Sequence, residues 1–232
     1  MNARAWAWAS VATGLAAIAI FVAFAVLPEV KAAGTCLPEG SVVQFELARN
    51  AADLIAIFGP PTGACRPLAV AAMDGVNMLD TRAFIPTYTA FCICAALFLS
   101  GGVVGRPLAL AAIGAAIVAL AGDYLETFTL LNLSHRLDAP NALLPSLELG
   151  AWTKFTALAV HALACAGLCF TGDKRRNILG VLLIPPALGL AAAAYNHVTL
   201  ASAMNAAFAI AWIALLIVAL LSALRGAPKA RA

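Results

Sequence analysis

The run Ala109–Leu131, ALAAIGAAIVALAGDYLETFTLL, decides how the rest of the chain is read. At 1.5 Å per residue a helix of this length crosses the roughly 30 Å hydrocarbon core of a bilayer. Yet the run carries two carboxylates, Asp123 and Glu126, one helical turn apart on the same face. Ionisable groups at membrane depth are costly and mark pairs or functional sites, so the informative question is what faces these two acids.

Composition extends the membrane reading to the whole chain. Of its 232 residues, 63% are hydrophobic and 11% charged, and the mean hydropathy is +0.95. Soluble domains are about half apolar and a quarter charged. The expected fold is an all-α polytopic membrane protein, a single integral domain over residues 1–232. It has six transmembrane helices and a small extracytoplasmic insertion at residues 29–82, between the first two. The net charge of +3 is spread beside span ends and forms no clustered basic face, which argues against nucleic acid as a partner.

Taken in order, the first span is expected from Ala5 to Leu27, a retained anchor that Pro28 ends. In the insertion, Val42–Leu47 alternates like a short strand, and Asn50–Phe58 reads as a capped amphipathic helix. The second span covers roughly Ala83–Leu99, the third ends near Leu131 and the fourth covers Gly150–Phe170. Ile178–Leu224 is long enough for two more, broken near Tyr195-Asn196-His197, with a kink at Pro185-Pro186.

An even number of spans puts both termini on one side, and Lys/Arg placement orients them. Arg4, Arg106, Lys174, Arg175, Arg176, Arg225, Lys229 and Arg231 fall on the terminal side. Opposite them, Lys31, Arg49, Arg66, Arg82 and Arg136 are diluted by acids in longer loops. The termini are therefore expected in the cytoplasm, across a bacterial-type inner (plasma) membrane. The insertion then faces an oxidising compartment, where Cys36 and Cys65 are expected to form a disulfide. Cys92, Cys94, Cys165 and Cys169 lie in apolar runs, where a thiol behaves as a small hydrophobe.

The fourth span offers partners for the two acids, because Lys154 and His161 share a face. Counting depth from Leu131 and Gly150 suggests a two-rung ladder, Glu126 with Lys154 and Asp123 with His161. Asp80, Arg82 and Tyr88 at the start of the second span, and His197 at the turn between the last two, fall toward the same membrane face. Together these residues suggest an outward-facing polar pocket that binds a small polar molecule, a lipid headgroup or an ion.

Other chemistries fit these residues less well than that pocket does. A metal site from Asp123 and Glu126 with His135, His161 or His197 lacks an H-E-x-x-H or E-x-x-H signature, so no metal is assigned. No Walker loop, G-x-G-x-x-G or G-x-S-x-G is present, and Cys92-x-Cys94 lacks redox spacing. The residues thus name no cofactor and leave open whether the protein is an enzyme. Two rival readings stand: an ion- or proton-coupled transporter, and a non-catalytic subunit that docks a partner helix. The expected partners are the lipid bilayer and a second membrane chain, either another copy or a different protein.

Overall fold

Proline and asparagine positions divide the chain into its helices. In the computed structural model, which describes residues 2–103, 106–172 and 174–225, the α-helices are α1 (Ala3–Val26), α2 (Pro28–Ala33), α3 (Ser41–Glu46), α4 (Ala51–Phe58) and α5 (Arg66–Leu79). A π-turn over Asp80–Phe84 joins α5 to α6 (Ile85–Leu99), and α7 (Pro107–Ser134), α8 (Leu144–Phe170), α9 (Asn177–Leu182), α10 (Pro185–Tyr195) and α11 (His197–Leu224) follow. Val104, Gly105, Asp173, Lys229 and Arg231 lie outside the described residues. Among the described residues there is no strand, and six helices are long and apolar enough to cross a membrane.

Local chemistry accounts for the helix ends. The side chains of Asn2, Asn50 and Asn196 each accept a backbone N–H three residues on, capping α1, α4 and α11. Asp53 returns the favour by accepting the N–H of Arg49 at 2.8 Å. Asn196 is also where the last two spans part, as the sequence suggests. Prolines sit in the first turns of α2, α5, α6, α7, α8 and α10, where their missing N–H costs nothing.

Several boundaries differ from the sequence reading. Pro28 does close α1, which ends at Val26 with Leu27 as its cap, and it also opens the short helix α2. Pro185 begins a new helix after α9, so the fifth span is interrupted, not kinked. The fourth span starts at Leu144, ahead of Gly150. Residues 66–82 are helical and continuous with the second span: one helical run extends from Arg66 to Leu99, its 34 residues being more than a bilayer core requires. Pro86 cannot donate to the carbonyl of Arg82, and the π-turn, in which the Ile85 N–H bonds the Asp80 carbonyl, absorbs that break without ending the helix.

The expected strand at Val42–Leu47 is helix α3. Its alternation of buried Val43, Phe45 and Leu47 is real, but it arises because this short helix is wedged among α4, α7, α8 and α11. Burial on more than one side imitates the period of a strand.

The long helices pack in a ring, α6 beside α7, then α8, α10, α11, α1 and back to α6. The antiparallel pair α7 and α8 makes the most extensive contact. At one end a cap covers the ring: Phe45, Leu54, Ile57 and Phe58 pack on Met73, Leu130, Leu133 and Leu147, with the Phe45 and Phe58 rings edge-on at 4.8 Å. Arg66 bonds Asp138 there at 2.7 Å. At the other end Arg4 donates to the carbonyl of Ala223 and Arg176 to that of Leu99.

Cys36 and Cys65 form a disulfide, with a Cα–Cα distance of 5.0 Å across a sequence separation of 29. A loop of this size stabilises the cap by roughly 3 to 4 kcal/mol in the chain-entropy model. Alkylation without reductant should leave both cysteines unmodified. Cys36→Ser should lower the denaturant resistance of the cap by about 3 kcal/mol, read as faster proteolysis of residues 37–65.

Candidate functional site

The site begins with two glycines. A Cβ on Gly122 of α7 would stand 2.7 Å from the Lys154 backbone nitrogen, and one on Gly150 of α8 would stand 2.6 Å from that of Glu126. The two backbones therefore touch, the close approach that small residues permit between membrane helices. Ala112, Ala116 and Ala119 continue the small face along α7.

This contact sets Glu126 against Lys154. The ammonium donates to Glu126 Oε1 at 2.9 Å and lies 2.8 Å from Oε2. Asp123 Oδ1 and Glu46 Oε1 each stand 3.3 Å from the same nitrogen. One lysine is thus ringed by three carboxylates. The Lys154 nitrogen also lies 4.6 Å from the centre of the Phe155 ring. Glu126, Asp123 and Lys154 are buried, while the Glu46 side chain keeps 19% of its surface exposed.

A second layer orients the acids. The Tyr88 hydroxyl donates to Asp123 Oδ2 at 2.7 Å, and its ring stacks on Trp212 at 5.3 Å. Thr127, next to Glu126, donates to Asp80 Oδ2 at 3.1 Å. The π-turn places that aspartate at the start of its widened turn. Burial raises the Glu46 carboxyl above its ordinary range, and the Lys154 ammonium pulls it back in part.

Donors and acceptors do not balance around Lys154. An ammonium offers three N–H groups, and four carboxylate oxygens lie within 3.3 Å of it. Asp123 Oδ1 and Glu126 Oε2 are left without a well-directed hydrogen bond.

Of the residues singled out from sequence, Asp80, Tyr88, Asp123, Glu126 and Lys154 come together here. His161, His197 and Arg82 do not. His161 lies two turns further along α8, with Nδ1 3.0 Å from the Ala112 carbonyl, so the Asp123–His161 rung does not form. The depth count failed because α7 and α8 both extend past the assumed ends, and the Gly122–Gly150 contact fixes a register that sets Asp123 level with Lys154. His197 stands 3.6 Å from Asp53, His135 pairs with Asp74, and Arg82 is exposed. The centre that a metal would occupy among these acids is filled by the Lys154 ammonium.

The sequence reading does not bring Glu46 to the cluster, because it places that residue in a strand of the water-facing insertion. Its signal is slight: a lone acid beside Phe45 in an otherwise apolar stretch. A recess bordering Glu46, Leu47, Ala151 and Trp152 is too tight to admit water, and α3 covers the cluster. The chain matches no protein family, no curated protein and no solved structure.

The imbalance predicts an asymmetry between variants. Lys154→Met leaves the acids uncompensated and should cost roughly 3 to 5 kcal/mol, seen as lost accumulation or a collapsed thermal transition. Asp123→Asn or Glu46→Gln leaves other carboxylates on the lysine and should cost far less by the same assay. Gly122→Ala should destabilise by roughly 1 to 3 kcal/mol through overpacking alone.

Proposed function

We propose that this integral membrane protein takes up and releases protons at the Glu46–Asp123–Glu126–Lys154 cluster, on the extracytoplasmic side of a bacterial-type inner membrane. The observation that carries the reading is the excess of buried carboxylate over ammonium. Three acids on one lysine cannot all stay ionised cheaply in low dielectric, whereas a proton on one carboxyl removes a charge and supplies the missing donor. Asp80, held by Thr127, adds a fourth acid to the same region.

The orientation rests on two independent features. Arg4, Arg106, Lys174, Arg176 and Arg225 belong to the end away from the cap, which favours that end in the cytoplasm. The Cys36–Cys65 bridge belongs to the cap, which favours an oxidising compartment there. Glu46, partly exposed at the edge of the cap, is then the group through which the buried acids exchange with water.

Proton binding is preferred to the capture of a small polar molecule because the side chains of the cluster are in direct contact and the recess beside them excludes water. Infrared difference spectroscopy of the protein titrated over roughly pH 4 to 9 tests it. A protonated-carboxyl band should appear and shrink in Asp123→Asn and Glu126→Gln. A band that is absent, or unchanged in both variants, would sink the proposal.

A further inference from the structure

A groove of about 700 Å³ runs along the outer flank of α7 and α8, between Gly114 and Val118 on one side and Leu149, Thr153 and Val160 on the other. At its cap end lies the water-excluding recess, flanked by the exposed side chains of Arg49 and Glu148. Trp152 forms a wall of both. We infer that groove and recess together bind one phospholipid whose zwitterionic headgroup carries a primary amine, with an acyl chain in the groove and the headgroup over the recess mouth.

Length and charge select this occupant. From Leu149 to Val160 the α8 side of the groove rises about 16 Å, close to half of the roughly 30 Å hydrocarbon core and so to one leaflet's chain. Trp152 falls where amphipathic rings favour the interface. The Arg49 guanidinium sits 5.6 Å over the Trp152 ring, a stacking that leaves its N–H edge free for a phosphate.

Among the described residues neither Arg49 nor Glu148 has an ion-pair partner, although both line the same recess. A cation and an anion held apart at one mouth complement a phosphate joined to an ammonium. Glu148 repels a headgroup that is only anionic, and a quaternary amine has no N–H to offer it. Gly114 lines the open face of this groove, where an added Cβ would meet nothing within 4 Å. The recess shares Glu46 with the acidic cluster, but the headgroup contacts fall on Arg49 and Glu148 and do not depend on proton uptake at the cluster.

The test reconstitutes the protein into nanodiscs of phosphatidylethanolamine, phosphatidylcholine and phosphatidylglycerol in equal parts. Native mass spectrometry after mild detergent release then reads the retained lipid. One phosphatidylethanolamine should be enriched several-fold over the other two. Arg49→Gln and Glu148→Gln should each reduce that enrichment several-fold. Gly114→Leu fills open space and should lose the lipid while keeping the wild-type thermal transition. Retained lipid that mirrors the nanodisc mixture, favours phosphatidylglycerol, or persists in Gly114→Leu would overturn the inference.

Discussion

Where Gly122 of α7 meets Gly150 of the adjacent α8, the two backbones leave no room for a single added carbon. Everything distinctive about the protein follows from that contact. It fixes an antiparallel register, and the register in turn decides that Lys154 meets Glu126 and Asp123 while His161 is left to the carbonyl of Ala112. A looser crossing would let long side chains choose among partners. Here the backbones choose for them, and the acids are buried before their side-chain rotamers come into question.

The cap completes what the register begins. Glu46 reaches Lys154 from α3, a short helix that would be marginal alone. It holds its place because Phe45 packs on Phe58 and the surrounding apolar residues rest on the ends of α7 and α8. The disulfide ties the chain entering the cap to the start of α5. On the opposite side the π-turn before Pro86 lets one continuous helix present Asp80 to Thr127 and, two turns later, Tyr88 to Asp123. Two further segments, α3 and the continuous α5–α6 helix, thus join α7 and α8 around the acids.

Much of this was legible in the sequence, for physical reasons. Runs of bilayer length announce spans because apolar residues have no cheaper place to go, and Asn196 marks a break because its side chain caps the helix after it. The Glu126–Lys154 pairing was readable because charges at similar depth in adjacent helices must compensate each other. The rest was hidden where two causes give one pattern. Alternation at Val43, Phe45 and Leu47 looks the same for a strand as for a helix buried on several sides. Polar Asp80 and Arg82 look like a loop until the π-turn carries the helix through them. Depth counted from assumed helix ends carries an error of a turn or more, enough to turn Asp123 toward the wrong partner.

The surplus of carboxylate is the feature that packing does not explain. A buried ion pair kept only for architecture is often matched or bettered by apolar residues of similar volume, and one acid suffices to neutralise one lysine. Additional acids at Asp123 and Glu46 raise the desolvation cost without improving the packing of α7 on α8, which the glycines already secure. Such a cost is what groups kept for a change of charge state would carry, and it is the ground of the proton proposal. The proton reading follows from that surplus, since a carboxyl that accepts a proton satisfies the unbonded oxygen beside Lys154 and relieves the repulsion in one step. In that reading, the partial exposure of Glu46, set against the burial of Glu126 behind it, would give the exchange a direction from the cap inward.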